Sequence, residues 1–600
     1  MPLKCDIKKF FDSIDHIVLI ELIKKKVSDE NTLWLLQRII KSFSVADHRG
    51  IPMGNITSQL FANIYMNWFD QFIKHQLKVR YYIRYCDDFL ILSPDKEYLR
   101  TLVLHMNHFL KNTLKLQLHP NKIFIKTFAS GIDFLGWVNF YNHRTLRTTT
   151  KRRMFKKLQN PKVGSLQSYL GLISHGNSYM IYKKFIMRLK QKDPQIAKLI
   201  DLETERQKTS LEMIPSENHS SPAVREPLGS LLTDKYAEGY PGKRYYSGLK
   251  YYDQLEILCQ ERVKKLFGVE HANVQPYSGS PANAAVYMAT CEPGDTIMGM
   301  GLAMGGHLTH GFKLSFSGKF FKSFAYSVDE KTHLINYDEA ERLAKEHKPK
   351  LIWVGGSAYP RTFNWKRMGK IADSVGAYLA ADIAHIAGLV AGGAHPSPVP
   401  YVHIITTTTH KTLRGPRGGI VMVTKKGIEK DSDLPKKIDR AVFPGLQGGP
   451  HENSIAGIAV CLKEASTSAF KKYAKQVVKN AKVLAEELKK YGFNLVSGGT
   501  ENHLILIDLR NKNITGSAAA DLLEEAGITI NKNSIPYDTA SPFNPSGIRM
   551  GTPAITTRGM KEKEMKKIAE WINEALSQPK SVKKIREEIK RFCKKFPLPR

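Results

Sequence analysis

No uninterrupted apolar run in this 600-residue chain approaches the roughly 18 residues of a membrane-spanning helix. The start, Met1-Pro2-Leu3-Lys4-Cys5-Asp6, lacks a secretory pattern, so a soluble cytoplasmic chain is expected. Cysteine is scarce. Cys5, Cys86, Cys259, Cys291, Cys461 and Cys593 are scattered, without the close pairs of a zinc site or a disulfide framework. That agrees with a reducing compartment. Internal repeats and low-complexity linkers are also absent, and 600 residues are too many for one core, so several domains are expected. Acid is short throughout, with 56 Asp and Glu against 90 Lys and Arg, and shortest in the first third, where residues 1–188 hold 13 acids against 30 basic residues. Such an excess favours a polyanionic partner for that segment.

The densest run of chemistry is Thr406-Thr407-Thr408-Thr409-His410-Lys411-Thr412-Leu413-Arg414-Gly415-Pro416-Arg417-Gly418-Gly419. A lysine after a hydroxyl run, between the apolar segment Val402 to Ile405 and a Gly/Pro-rich turn, suits an amine presented at a strand end to an aldehyde cofactor. Ahead of it, Ala377-Tyr378-Leu379-Ala380-Ala381-Asp382-Ile383-Ala384-His385 reads as an apolar strand ending in an acid. An acid beside a pyridine nitrogen keeps that ring protonated and electron-withdrawing. Tyr277-Ser278-Gly279-Ser280-Pro281-Ala282-Asn283 opens a helix whose small first residues leave N–H groups free for a phosphate. Gly305-Gly306-His307-Leu308-Thr309-His310-Gly311 brings an imidazole between glycines. Apolar strands at Leu351 to Val354, Leu379 to Ala381, Ile404 to Thr406 and Ile420 to Val423, with helices between, indicate an α/β domain with its chemistry at strand ends.

From about Asp193 to the C-terminus these motifs, together with Leu211-Glu212-Met213-Ile214-Pro215-Ser216-Glu217-Asn218, Tyr236 to Tyr246, Phe443 to Pro450 and Ser546 to Pro553, resemble serine hydroxymethyltransferase. The resemblance implies an aspartate-aminotransferase-like fold (fold type I), with an arm at 187–230, a large pyridoxal-phosphate-binding domain at 231–475 and a small α+β domain at 476–600. It implies pyridoxal 5'-phosphate held by Lys411, with Ser278, Gly279, Ser280, His307, Asp382, His385, Thr408, His410, Tyr236, Gly448 and Gly449 around it. Gly448 and Gly449 are expected to reach the phosphate of a second subunit in a homodimer or tetramer. Ser216, Tyr246, Ser357 and Arg549 correspond to amino-acid-binding positions, with Arg549 the planar fork suited to a carboxylate. Glu238 corresponds to a proton shuttle. Leu302, Gly306, His307, Leu308, Asn533, Ser541, Pro542 and Phe543 correspond to the tetrahydrofolate side. The reaction implied is transfer of the serine hydroxymethyl carbon to tetrahydrofolate; a folate-independent threonine or serine aldolase would use the same lysine and acid. Pro215, Tyr277 and Pro281 stand where many bacterial members have Ala, His and Gln.

The first segment reads differently. Leu3 to Asp6 is a short strand ending in an acid, a helix is expected from Ile17 to Lys26, and Tyr82 to Leu92 is a hairpin with Asp87 and Asp88 at its tip. Adjacent carboxylates repel, and divalent metal, magnesium for instance, with Asp6 as third ligand, would neutralise them. With Gly50 to Asn63 and Gly131-Ile132-Asp133-Phe134-Leu135-Gly136-Trp137, these residues resemble a reverse-transcriptase palm, nearest those of diversity-generating retroelements, at 1–140. Basic residues from Arg144 to Lys157 and Ser165 to Gly171 resemble its thumb, at 141–186, where weak nucleic-acid binding would reside. The family's fingers are not found ahead of Asp6, so a remnant inactive as a polymerase is expected. Nucleic-acid binding by this palm as the chief function is the competing reading.

Overall fold

The structure, a computed structural model, describes residues 1–52, 55–141, 143–157, 189 and 192–599, without the side chains of 154–157. The expected thumb stretch Ser165 to Gly171 and Gly54 lie outside the described residues. The chain divides into two compact units, Met1–Lys198 and Leu199–Arg600.

In the first unit, strands Tyr81–Tyr85, Asp88–Leu92, Pro2–Asp6 and Phe124–Ile125 form an antiparallel sheet in that order. The alternation of its strands puts Leu3, Cys5, Phe89 and Ile91 on one face, where they are buried with Tyr65, Phe69, Met106 and Leu110 from helices Ile56–Gln71 and Lys96–Thr113. The helix expected at Ile17 to Lys26 spans His16–Lys24; Asp15 starts it by accepting from the N–H groups of Ile17 and Val18. A three-stranded meander, Ile132–Phe134, Trp137–Asn139 and Arg144–Leu146, precedes the basic helix Thr148–Lys157.

The second unit is mixed α/β. Its seven-stranded sheet runs His271–Asn273, Gly419–Val423, Ile404–Thr408, Tyr378–Asp382, Leu351–Val354, Thr296–Met300, Lys322–Tyr326. Pairing is parallel from Ile404–Thr408 to Lys322–Tyr326, and only Gly419–Val423 runs against its neighbours. The central strands are apolar without alternation because helices cover both faces. All four strands expected from the sequence are present. Beyond the 23-residue helix Ser468–Lys490, a four-stranded antiparallel sheet, Asn494–Leu495, Leu504–Asp508, Gly547–Gly551 and Asn531–Asn533, packs on helices Gly516–Ala526, Glu562–Ser577 and Val582–Cys593.

Two arginines fix the amino-terminal arm of this unit. Helix Pro194–Thr209 ends with carbonyls that have no partner inside the helix. The buried Arg558 guanidinium donates to Gln207 O at 3.2 Å, Lys208 O at 3.0 Å and Ser210 O at 2.6 Å, and also to Cys593 O and Phe596 O. Arg586 adds a bond to Thr209 O at 3.0 Å. A cation at a helix C-terminus also meets its negative dipole end. Arg558→Ala is therefore expected to destabilise the second unit by on the order of 3 kcal/mol, since it strands several buried carbonyls at once. Denaturant unfolding measures it, and Arg558→Lys, a single point charge, should recover only part.

Candidate functional site

The parallel strands end on the same side of the large sheet, and the loops that leave them converge there. The strand ending at Met300 leads to His307, that ending at Val354 to Gly356 and Ser357, that ending at Asp382 to Ala384 and His385, and that ending at Thr408 to Lys411. With Gly279 at the start of helix Gly279–Thr290, these nine residues line one pocket.

Asp382 is the anion of this pocket. Its Oδ2 accepts from Asn283 Nδ2 at 2.9 Å and pairs with His310 Nε2 at 3.2 Å, while Oδ1 accepts from Ala384 N at 3.0 Å. Burial alone would raise its pKa; the bond and charge of His310, the nearby His307 and the Asn283 amide overcome that and hold the carboxyl well below the usual range. Asn283 is itself tied down, accepting from Thr406 Oγ1 at 2.6 Å and donating to Thr309 Oγ1 at 2.8 Å. His310 stacks on Trp353 with 5.0 Å between ring centres.

Across the pocket, burial brings the Lys411 amine down from 10.5 to about 8, against the opposing pull of Asp382 and with help from Arg549 and Arg417. An amine with that pKa is partly neutral, and hence nucleophilic, near neutral pH. His307 is driven to about 4 by burial, against the pull of Asp382, so its ring is neutral and able to lie flat on a heterocycle. His385 is likewise held uncharged, by burial first, and its Nδ1 lies 3.3 Å from His503 Nε2.

Arg549 projects from strand Gly547–Gly551 and bonds Ser357 O and, at 3.2 Å, Asn531 Oδ1. Burial lowers even this guanidinium, to about 10, and no carboxylate pairs with it among the described residues. Both of its partners are neutral oxygens, which leaves its charge for a ligand's anion.

The arrangement fits a pyridoxal phosphate. Thr408 Oγ1 and His410 Nδ1 are buried without partners. The side chain of Ser278 makes no capping bond at the start of helix Gly279–Thr290. A Cβ at Gly279 would meet Thr408 Cγ2 at 2.8 Å, so the glycine keeps the space between these groups open. Unused donors, a helix N-terminus, a strand-end acid and a low-pKa lysine are what a phosphate, a pyridine nitrogen and an aldehyde require.

Several residues expected at the site are placed elsewhere. Ser216 lines a neighbouring pocket with Glu217, Asn218, His410 and Arg417. Tyr236, Glu238, Tyr246, Gly448 and Gly449 form their own cluster: the two tyrosine rings are 5.6 Å apart, a Cβ at Gly448 would lie 3.0 Å from Glu238 Oε1, and Tyr277 Oη donates to Gly449 O at 2.8 Å. Tyr236 is 63% and Tyr246 47% exposed, and none of the five lines the Lys411 pocket. Leu302 and Leu308 flank the His307 loop with exposed side chains, Gly306 packs against Met300 O, and Asn533, Ser541, Pro542 and Phe543 stand on the small domain with Phe543 87% exposed. Asn283, Thr309 and His310 were missed as functional positions, although each lies inside a motif singled out for another residue.

In the first unit Asp6 and Asp88 face each other across paired strands, and Cys86, with φ of 52°, turns the chain so that Asp87 sits at the tip. Lys122 Nζ lies 2.9 Å from Asp6 Oδ2 and Lys4 Nζ 3.1 Å from Asp88 Oδ2. Burial, with Asp6 and Asp88, raises Asp87; burial also raises Asp88, against the pull of Lys4. Among the described residues only His307, His310 and Asp382 bring three potential ligand atoms within 4.8 Å of one another, so the palm acids are not gathered to that extent. No described helix is long and apolar enough to cross a membrane.

Residues 1–138 match the family profile of reverse transcriptase (RNA-dependent DNA polymerase), so the fusion expected from the motifs is present. Residues 189–572 match the profile of serine hydroxymethyltransferase, a family that implies pyridoxal phosphate, a tetrahydrofolate co-substrate and the fold-type-I architecture. With the lysine and the acid at strand ends of that matched region, the chain belongs to the serine hydroxymethyltransferase family and carries a reverse-transcriptase domain ahead of it.

Proposed function

We propose that the second unit transfers the hydroxymethyl carbon of serine to tetrahydrofolate, and that the single observation carrying this reading is the placement of Lys411 and Asp382 on one pocket beside an Arg549 that has no acidic partner among the described residues. Bound pyridoxal phosphate would supply an electron sink for the charge that develops at the amino-acid alpha carbon. The chain's own residues do the rest. Lys411, its amine partly neutral near neutral pH, would hold the cofactor through its aldehyde. Asp382, kept ionised by His310 and Asn283, would keep a proton on the cofactor's ring nitrogen, and neutral His307 would be the residue to stack on that ring. Arg549, bonded to Ser357 at the edge of the Lys411 pocket, grips the substrate carboxylate; Ser216, expected to assist it, lines the neighbouring pocket. Glu238 moves the proton at the hydroxymethyl group.

Glu238, Tyr236 and Tyr246 lie outside the Lys411 pocket of their own chain; Tyr236, Tyr246 and Gly448 are exposed, and Glu238 and Gly449 are half-buried beside them. That separation supports a homodimer in which this cluster completes the neighbour's pocket. The first unit is read as a palm that no longer polymerises DNA and retains weak nucleic-acid binding. Lysines seated on Asp6 and Asp88 support that reading, since they occupy carboxylates that would otherwise meet a cation.

Purified protein is expected to show the visible absorption of covalently held cofactor. Lys411→Ala should lose that band while retaining cofactor by non-covalent contacts; an unchanged spectrum would sink the assignment. Capture of added pyridoxal phosphate should accelerate as pH rises through about 8, where the amine loses its proton. Arg549→Ala should weaken serine binding about a hundredfold or more and cofactor binding little, because a charged bidentate contact is lost. Equal loss of both would mean misfolding. Release of free formaldehyde and glycine from serine at an equal rate without tetrahydrofolate would favour the aldolase alternative, and full activity in monomers at high dilution would contradict the shared site. Primer extension by the full chain with manganese or magnesium should be absent; extension abolished by Asp87→Ala/Asp88→Ala would refute the inactive-palm reading.

A further inference from the structure

Beneath the loop that carries Glu238 lies a buried cluster in which one guanidinium faces three carboxylates. Arg244 stands on the short hairpin Gly239–Tyr240/Lys243–Arg244. Its Nη1 donates to Ala237 O at 2.7 Å and Gly239 O at 2.9 Å, the two carbonyls on either side of Glu238. Its Nε donates to Asp253 Oδ1 at 2.9 Å and its Nη2 to Glu256 Oε2 at 2.7 Å. Gln275 joins the same carbonyl and carboxylate, donating to Gly239 O at 3.0 Å and Glu256 Oε1 at 3.0 Å, and Gln447 Nε2 donates to Gln275 O at 2.9 Å. The two loops, Tyr236–Tyr246 and the one through Gly448 and Gly449, thus share one support.

Glu452 is the third acid. It is the first residue of helix Glu452–Ala465, its side chain is fully buried, and neither oxygen has a hydrogen-bond partner. Arg244 Nη2 stands 3.7 Å from its Oε1, within reach of charge but beyond a hydrogen bond. A buried carboxylate left so would be costly, whereas a neutral carboxyl is tolerable.

We propose that Glu452 is a positioning residue for the Glu238 loop, acting through Arg244: as a neutral acid it leaves the guanidinium to Glu256, Asp253 and the two loop carbonyls, and on ionising it draws the guanidinium off them. The proposal rests on reading Glu238 as the group that acts on substrate. One Arg244 cannot neutralise two fully buried glutamates while Nη1 stays on Ala237 O and Gly239 O. Burial, then the nearby Glu256, push the Glu452 carboxyl up to about 8 against the pull of Arg244, with Asp253 adding to the rise. Glu256 is raised as well, chiefly by burial. Tyr252 and Cys259, which also face this acid from helix Lys250–Phe267, are held protonated chiefly by burial. His451 is turned away, stacked on Tyr277 at 4.2 Å.

The sign of the pH dependence follows. The folded chain keeps a proton up to about pH 8 that an unfolded glutamate releases near its ordinary 4.5. Stability therefore falls as pH rises between those values and the loss is complete above the upper one. The test uses the full-length chain, wild type beside Glu452→Gln and, should the amide fold poorly, Glu452→Leu. Hydrogen–deuterium exchange of residues 236–246, corrected for the intrinsic pH effect, is expected to quicken severalfold in wild type between pH 7 and pH 9 and to stay slow in the neutral variants. The variants should also lose the fall in thermal midpoint between pH 5 and pH 8. In turnover, wild type should show a drop in kcat centred near pH 8 that the variants lack, while KM for serine changes little. Identical pH responses in wild type and variant, or a loop already loosened at pH 7 in a neutral variant, would overturn the proposal. A chain with no hydroxymethyl transfer at any pH would refute the proposed reaction, and the exchange and melting data would still decide the role of Glu452.

Discussion

The carboxylate of Asp382 is the constraint around which the second unit is arranged. A charge buried without partners costs several kcal/mol, and this one is kept by three donors from three separate elements: Asn283 of a helix, His310 of a short turn and the N–H of Ala384 beyond the strand end. Each donor is fixed in turn, Asn283 by Thr406 and Thr309, His310 by the face of Trp353. The helix cannot shift without releasing Asp382, and the same helix start brings Gly279 against Thr408. One buried anion therefore sets the distance between the phosphate side of the pocket and its acid, and its field opposes the fall in the pKa of Lys411.

Much of this frame was legible in the sequence because strand ends are. Continuous apolar runs at 351–354, 379–381 and 404–406 can only be strands covered on both faces. In a parallel sheet their following residues must lie together, so Ser357, Asp382 and Lys411 converge, and His307 joins them from the end of Thr296–Met300, a strand the sequence reading did not single out. Asn283 and His310 were not legible, because an amide inside a helix and a second histidine in a turn acquire meaning only from a partner 99 or 72 residues away. Glu452 illustrates the same limit more sharply. An acid at the first position of a helix ordinarily needs no account beyond the helix dipole, and only the packing of helix Lys250–Phe267 against it reveals that it is fully buried beside Glu256.

The Tyr236–Tyr246 segment departs from the sequence reading for a different physical reason. Its glycines and tyrosines do make an ordered loop, a hairpin with Gly239 at φ 94°, where a Cβ would meet Lys243 O at 2.3 Å. Yet its reactive side chains do not line the Lys411 pocket of the same chain, and Tyr236 and Tyr246 are in solvent. Order without burial means that the loop is held from below, by Arg244 and Gln275, rather than by what it faces. A segment built in that way presents a fixed outer surface at little entropic cost on meeting a partner.

Three buried or half-buried sets of carboxylates among the described residues, Asp382 alone, Asp6 with Asp88, and Glu256 with Glu452, meet the same electrostatic problem differently. Asp382 is kept ionised by neutral hydrogen-bond donors and a histidine, which leaves its charge directed into the pocket. Asp6 and Asp88 are matched by Lys122 and Lys4, and because these pairs are only partly buried, water screens what they leave over. The Glu256 and Glu452 side chains are fully buried and share one arginine, so the remaining charge is removed by retaining a proton. Exposure decides among the three: where solvent reaches, a flexible lysine suffices; where it does not, the carboxyl needs either a full set of donors or a proton. Only the last solution changes within the range of cellular pH, and it lies directly beneath the loop that carries Glu238.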